Sequence, residues 1–152
     1  MARQTSRLSP PQESEGILPE LVGYHLRRAQ LAVFADFART MAGIDLTPGQ
    51  FGMLARIAAN RGLTQSALGR AIGIERSSVV AAIDRLEKRG LVVRGKAEGD
   101  RRANALGLSA EGQRLFREAT RRVRLHERRI ARGLTPAEAR VLAGLLQRMS
   151  RP

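Results

Sequence analysis

The chain has no cysteine, almost no lysine and no long apolar run. Without cysteine there is no disulfide, no thiolate metal site and no thiol-based redox sensor; that absence does not fix the compartment, though a reduced cytoplasm is compatible with it. No stretch approaches the ~20 apolar residues of a membrane span. The N-terminal MARQTSRLSPPQESEG holds no apolar signal core, and residues 1–16 are expected to form a flexible tail. Histidine is scarce as well: His25 and His126 are the only two, too thin a set for a metal site. No His/Asp cluster, no phosphate-cradling glycine motif and no nucleophile with a partner base can be picked out. The expectation is therefore a non-enzyme with no catalytic residue, no metal and no cofactor.

What the chain does have is positive charge. Its 152 residues fit one domain with a real core, and 27 basic residues against 14 acidic ones leave a net charge of +13. Only Lys88 and Lys96 are lysines. That sign favours a polyanionic partner: nucleic acid, a membrane surface or an anionic small molecule. Guanidinium forks suit phosphates and guanine edges. A GC-rich genome produces the same Arg:Lys ratio, so the sign of the charge is the informative quantity.

Helical signals cover most of the remainder. Leu18, Val22, Leu26, Ala29, Val33, Phe37 and Met41 step by three or four residues, which predicts one long helix from about Ile17, stopping at Gly43. Thr47-Pro48-Gly49-Gln50 is a capping box with proline at the first helical position. It opens a second helix with Phe51, Leu54, Ile57 and Ala58 inward, ended by Asn60-Arg61-Gly62. Ser109 caps a later helix with the stripe Leu115, Ala119, Val123, His126 and Ile130, ended by Gly133. Thr135-Pro136-Ala137-Glu138 is a second capping box. The helix it opens carries Leu142, Leu145, Leu146 and Met149.

Between these lies the most informative stretch, residues 63–109. Thr64 caps a short helix, 64–72, with Leu68, Ala71 and Ile72 inward, and Gly73 supplies a turn. A second helix, Arg76–Lys88, buries Val79, Ile83 and Leu86. Ser77, Ser78, Ala81 and Arg85 are thereby forced onto the opposite face, which is small and hydrogen-bonding enough to lie against base edges. An ordinary solvated face is the alternative, but such faces carry more Glu and Lys. Arg89-Gly90 closes the helix. Residues 91–94 and 103–108 are strand candidates around a basic, glycine-punctuated tip, 95–102. A helix-turn-helix sets its second helix in the major groove, and an arginine at an adjoining hairpin tip can enter a narrow minor groove. Asp100 is expected to hold a neighbouring arginine or the loop backbone.

The ordered set LTPGQF, helix-turn-helix, IDRLEKRGLV and GDRRANALGLSAEG resembles the MarR family of winged-helix transcription regulators, over roughly residues 17–150. The most specific part is Asp84–Arg102, where DRLEKRGLV precedes Asp100-Arg101-Arg102 at the family's distance. The resemblance implies a mainly α fold of about six helices: a winged helix-turn-helix (47–108) with a small β-hairpin wing, and a helical dimerisation lobe (17–46 and 109–152). It also implies a cytoplasmic homodimer on a palindromic operator of double-stranded DNA. Such a regulator is commonly a repressor released by a small aromatic or anionic molecule. Thr64, Gln65, Arg76, Ser77, Ser78, Ala81, Arg85, Arg94, Lys96, Asp100, Arg101 and Arg102 are the expected DNA contacts. One departure stands out: Glu75 occupies the place where Ser, Thr or Asp usually caps the recognition helix.

Two groups are candidates for an effector. Tyr24, His25 and Arg28 sit on the first helix, where a carboxylate or phenol would be held or where they are simply surface groups. On the helix after the wing, Arg114, Arg117, Arg121, Arg122, Arg124, Arg128, Arg129 and Arg132 fall close together. They form either a solvated face or a surface for a ligand with several phosphates, such as a coenzyme A thioester of an aromatic acid. Arg114, Arg117 and Arg121 are the leading three. A constitutive, architectural DNA-binding protein without an effector is the competing reading.

Overall fold

The computed structural model describes residues 14–97 and 100–150, with the side chains of 96–104 left outside it. Contacts divide the chain into two units, Met1–Ala32 and Val33–Pro152. A 3-10 turn, Leu18–Glu20, is followed by α1 (Val22–Thr40), α2 (Pro48–Ala59), α3 (Gln65–Ile72) and α4 (Arg76–Lys88). The strands β1 (Val92–Ala97) and β2 (Asp100–Leu108) precede α5 (Ala110–Ile130) and α6 (Pro136–Met149).

Helix starts follow local chemistry. Thr47 Oγ1 accepts the Gln50 amide at 3.2 Å while Gln50 Oε1 accepts the Thr47 amide at 3.0 Å. Thr135 and Glu138 repeat the pattern at α6. Thr64 caps α3 through the Ala67 amide, and Ser109 caps α5 through the Gly112 amide at 2.9 Å. Gly73 takes φ +71°, which a side chain would strain.

Several expectations need correction. The first long helix begins at Val22, because Leu21 is extended after the proline-containing turn. Of its stripe, Phe37 and Met41 are buried, whereas Leu18, Val22 and Leu26 are exposed. Ala58 and Ala71 face outward, and Met53 and Gly69 are the buried neighbours that periodicity passed over. The strands run further toward the tip than 91–94 and 103–108, with a register break between Lys96 and Ala97. Helix α5 stops at Ile130, three residues before Gly133, with Ala131 as its cap. None of the α6 residues is buried. The first thirteen residues of the expected tail lie outside the described residues.

The core belongs to the Val33–Pro152 unit. Leu54, Leu68, Ile83, Leu86 and Ala119 are fully buried, drawn from α2, α3, α4 and α5, and Leu91, Val92 and Leu106 close it from the hairpin. Phe51 packs between Phe37 and Phe116 at centroid distances of 6.4 and 5.7 Å.

One polar group enters this interior. His126 of α5 is buried, edge-on to Phe37, with Nδ1 2.7 Å from Asp36 Oδ2 on α1. Arg129 reaches the same carboxylate at 2.9 Å and Arg39 at 3.1 Å. The Arg129 guanidinium, and after it His126, hold the Asp36 carboxyl well below the ordinary carboxylate range. A carboxylate so depressed stabilises the fold above its ordinary value near 3.8, and the contribution fades as pH falls toward the lower one.

Two outcomes are expected. Below about pH 4 the wild-type melting temperature should fall, and Asp36→Asn should flatten that acid limb while lowering stability at neutral pH; thermal melts across pH check it. The second concerns Gly112, where an added Cβ would stand 1.9 Å from the Leu91 carbonyl oxygen. Gly112→Ala should cost about 1–3 kcal/mol or more in urea unfolding, because backbone must move to admit the methyl.

Candidate nucleic-acid interface

Helix α4 turns Val79, Ala82, Ile83 and Leu86 into the core, which fixes the opposite face toward solvent. Arg76, Ser77, Ser78, Ala81 and Arg85 are all exposed there, as their spacing required. Neither Arg76 nor Arg85 has an ion pair among the described residues. Glu75 precedes the helix in extended conformation and makes no side-chain cap, so the first amides of α4 have no side-chain acceptor from it.

The hairpin is bolted to the start of α3. The Leu106 amide donates to the Leu63 carbonyl at 2.8 Å, and Thr64 bridges Ala105. The Thr64 hydroxyl accepts the Ala67 amide, so this residue positions α3. Gln65, the first residue of α3, is half-buried with its Nε2 lacking a partner among the described residues.

Arg94 differs most from expectation. Its guanidinium is paired with Asp84 and, at 2.8 Å, with Glu87, both on α4. Two carboxylates pair with it, so Arg94 braces β1 against the α4 helix. Asp84 and Glu87 were passed over by the sequence reading; an arginine ten residues after an acid is too ordinary to flag a pair. The side chains of Lys96, Asp100, Arg101 and Arg102 lie outside the described residues, though the backbone sets Lys96 opposite Asn104.

The expected effector groups are occupied to different degrees. Tyr24 donates to Glu15 at 2.6 Å, Arg28 bonds the Tyr24 oxygen at 3.2 Å, and the Arg28 guanidinium lies 5.4 Å from the Tyr24 ring centroid. The hydrogen bond to Glu15 raises the Tyr24 hydroxyl's pKa. His25 Nε2 sits 2.8 Å from the Pro19 carbonyl. These three form a local cluster with the turn before α1. Arg114 is paired with Glu111, whereas Arg117 and Arg121 are exposed. Among the described residues, no group of three His, Asp or Glu could hold a metal ion, and no helix is long and apolar enough to cross a membrane.

Comparison with known proteins converges on one family. The MarR family model matches residues 44–103. A Thauera aromatica protein assigned to the hcr operon as its transcriptional regulatory protein is 40% identical over 131 residues, 86% of this chain and 79% of that one. The transcriptional repressor CouR bound to a 23-mer DNA duplex superposes with a TM-score of 0.87 at 38% identity, covering 93% of this chain and 100% of that one. CouR bound to p-coumaroyl-CoA gives 0.83 at 37% identity, covering 92% and 99%.

Strut and outward arginine should separate by stability. Arg94→Ala should lose about 1–3 kcal/mol in urea unfolding, as two carboxylates lose their cation. Arg85→Ala should stay within about 0.5 kcal/mol of wild type.

Proposed function

The chain belongs to the MarR family, and on that premise we propose that it is a homodimeric, sequence-specific DNA-binding repressor released by an aromatic acid or its coenzyme A thioester. The observation that carries the reading is the outward face of α4: two serines, an alanine and flanking arginines, presented opposite a fully buried stripe. Such a face admits base edges at close range, and Arg85 supplies a bidentate donor. The wing arginines Arg101 and Arg102, with Lys96 and Asp100 beside them, reach the adjoining minor groove.

Two copies are needed to read a palindrome. Val141, Leu142, Leu145 and Met149 of α6 are exposed, an apolar face that a monomer leaves wet. Leu26 and Leu31 of α1 are exposed too. Residues 17–46 and 109–152 supply the dimer lobe, and 47–108 the reading lobe. The dimer's two recognition helices, one from each copy, must meet successive major-groove faces ~34 Å apart, so a small change in their spacing abolishes binding. An effector acts by preferring the mis-spaced state, and only to the extent of that preference.

Support for a thioester comes from CouR, a relative solved both on DNA and with p-coumaroyl-CoA. The basic surface of this chain suits a ligand bearing several phosphates. Tyr24, His25 and Arg28 are already tied within their own segment, which makes them poorer candidates for a free carboxylate.

Footprinting on the promoter of its own gene should show protection of a palindrome of ~16–20 bp. Aryl-CoA thioesters should release it at lower concentration than the free acids, and Arg85→Ala should weaken operator binding by about 1–3 kcal/mol. Uniform binding to mixed DNA, with no release by either ligand, would replace this reading with a constitutive architectural protein.

A further inference from the structure

Glu75 is the only acid between Asp45 and Asp84, a stretch that holds the whole helix-turn-helix and carries Arg56, Arg61, Arg70 and Arg76. It is exposed, and among the described residues it has no ion pair. Its backbone takes φ −61° and ψ 146°, and its carbonyl accepts the Val79 amide at 3.1 Å, so this residue starts α4. Its side chain makes no cap. The short side chains of Ser, Thr, Asn and Asp place an oxygen well for that bond, and the longer glutamate does so poorly. The carboxylate therefore serves neither the helix nor a neighbouring arginine.

Its place in the fold sets what it meets on DNA. Glu75 directly precedes Arg76, Ser77 and Ser78, at the N-terminal end of α4. A recognition helix contacts base edges with its N-terminal residues. Phosphate oxygens repel a carboxylate and offer it no proton. The major-groove edge does offer donors, on cytosine N4 and adenine N6. Adenine N6 lies between two acceptors, its own N7 and the O4 of the paired thymine. Cytosine N4 has an acceptor, guanine O6, on one side only. Guanine and thymine present acceptors alone on their own edges. Cytosine is therefore the base that satisfies this carboxylate with the least repulsion.

We propose that Glu75 is a specificity-determining residue, accepting a hydrogen bond from the N4 amino group of one cytosine in each half-site. This rests on the reading of the chain as a sequence-specific DNA-binding dimer, and names a base that it selects. The effect lies in discrimination more than in affinity. Surrounding phosphates repel the charge whatever the sequence, and only cytosine offsets that repulsion.

The test is selection from randomised duplexes with the full-length protein, followed by equilibrium binding of the selected site with each base in turn at each position. Wild type should select cytosine at one position per half-site, and each other base there should bind roughly tenfold weaker. Glu75→Ala should level the four bases at that position and leave the preferences elsewhere unchanged. Glu75→Gln should move the preference to adenine, whose N6 and N7 together suit a carboxamide. Glu75→Ser separates reading from capping: it should raise the melting temperature by supplying the cap, yet lose the cytosine preference. If Glu75→Ala and Glu75→Gln gain affinity by one factor for every sequence, the carboxylate merely repels phosphate and the proposal is overturned. Wild-type base preferences in both variants would overturn it too, while leaving sequence-specific binding standing. If the wild-type protein selects no sequence, that reading and this proposal fail together.

Discussion

Helix α5 can start where it does only because residue 112 has no side chain. The Leu91 carbonyl occupies the space a Cβ would need, and the same carbonyl accepts the Ser109 amide at 3.1 Å. The Ser109 hydroxyl donates to the Gly90 carbonyl while accepting the Gly112 amide. The exit of α4, the entry of β1 and the first turn of α5 thus share one small knot of backbone. The second fastening, Leu106 to Leu63, joins the hairpin to α3. Between them, these two contacts hold the recognition helix, the wing and the long helix that follows in a defined relation, which a DNA-reading surface needs.

Arginine does two kinds of work in this chain. Some guanidiniums hold backbone and carboxylates in place. Arg89 donates to the Asp45 carbonyl at 2.6 Å and the Ile44 carbonyl at 3.1 Å, tying down a loop in which Asp45 has φ +49°. Arg94 braces β1 against α4, and Arg129 with His126 fixes Asp36. A planar fork with five donors suits such tasks better than a lysine ammonium. Others face solvent, among them Arg76 and Arg85 on α4 and Arg117, Arg121, Arg124 and Arg128 on α5. A net charge of +13 therefore overstates the charge available to a partner and says nothing of where it lies.

The reader segment was largely legible. The bounds of α4, the caps at Thr47, Thr64, Ser109 and Thr135, and the left-handed Gly73 all follow from interactions within a few residues, so the local sequence carries them. The same holds for the outward face of α4, which a buried stripe fixes by periodicity alone. Ala58 and Ala71 were misplaced because a small apolar residue at the edge of a stripe is buried or bare depending on what packs beside it. The strand ends were short by several residues because a ladder lengthens only when its partner is in register.

Sequence alone determined the elements, their order, the family and the sign of the surface charge, since these rest on local chemistry and on an ordered set of motifs. Tertiary structure decided which arginine has a partner. Arg85 and Arg94 look alike in the sequence, yet the packing of β1 against α4 brings two carboxylates to Arg94, while Arg85 is exposed without an ion pair among the described residues. It also decided which apolar faces stay bare: α6 is as apolar as a core helix, but no residue of it is buried. Periodicity states which residues share a face. What covers that face depends on contacts between residues far apart in the chain.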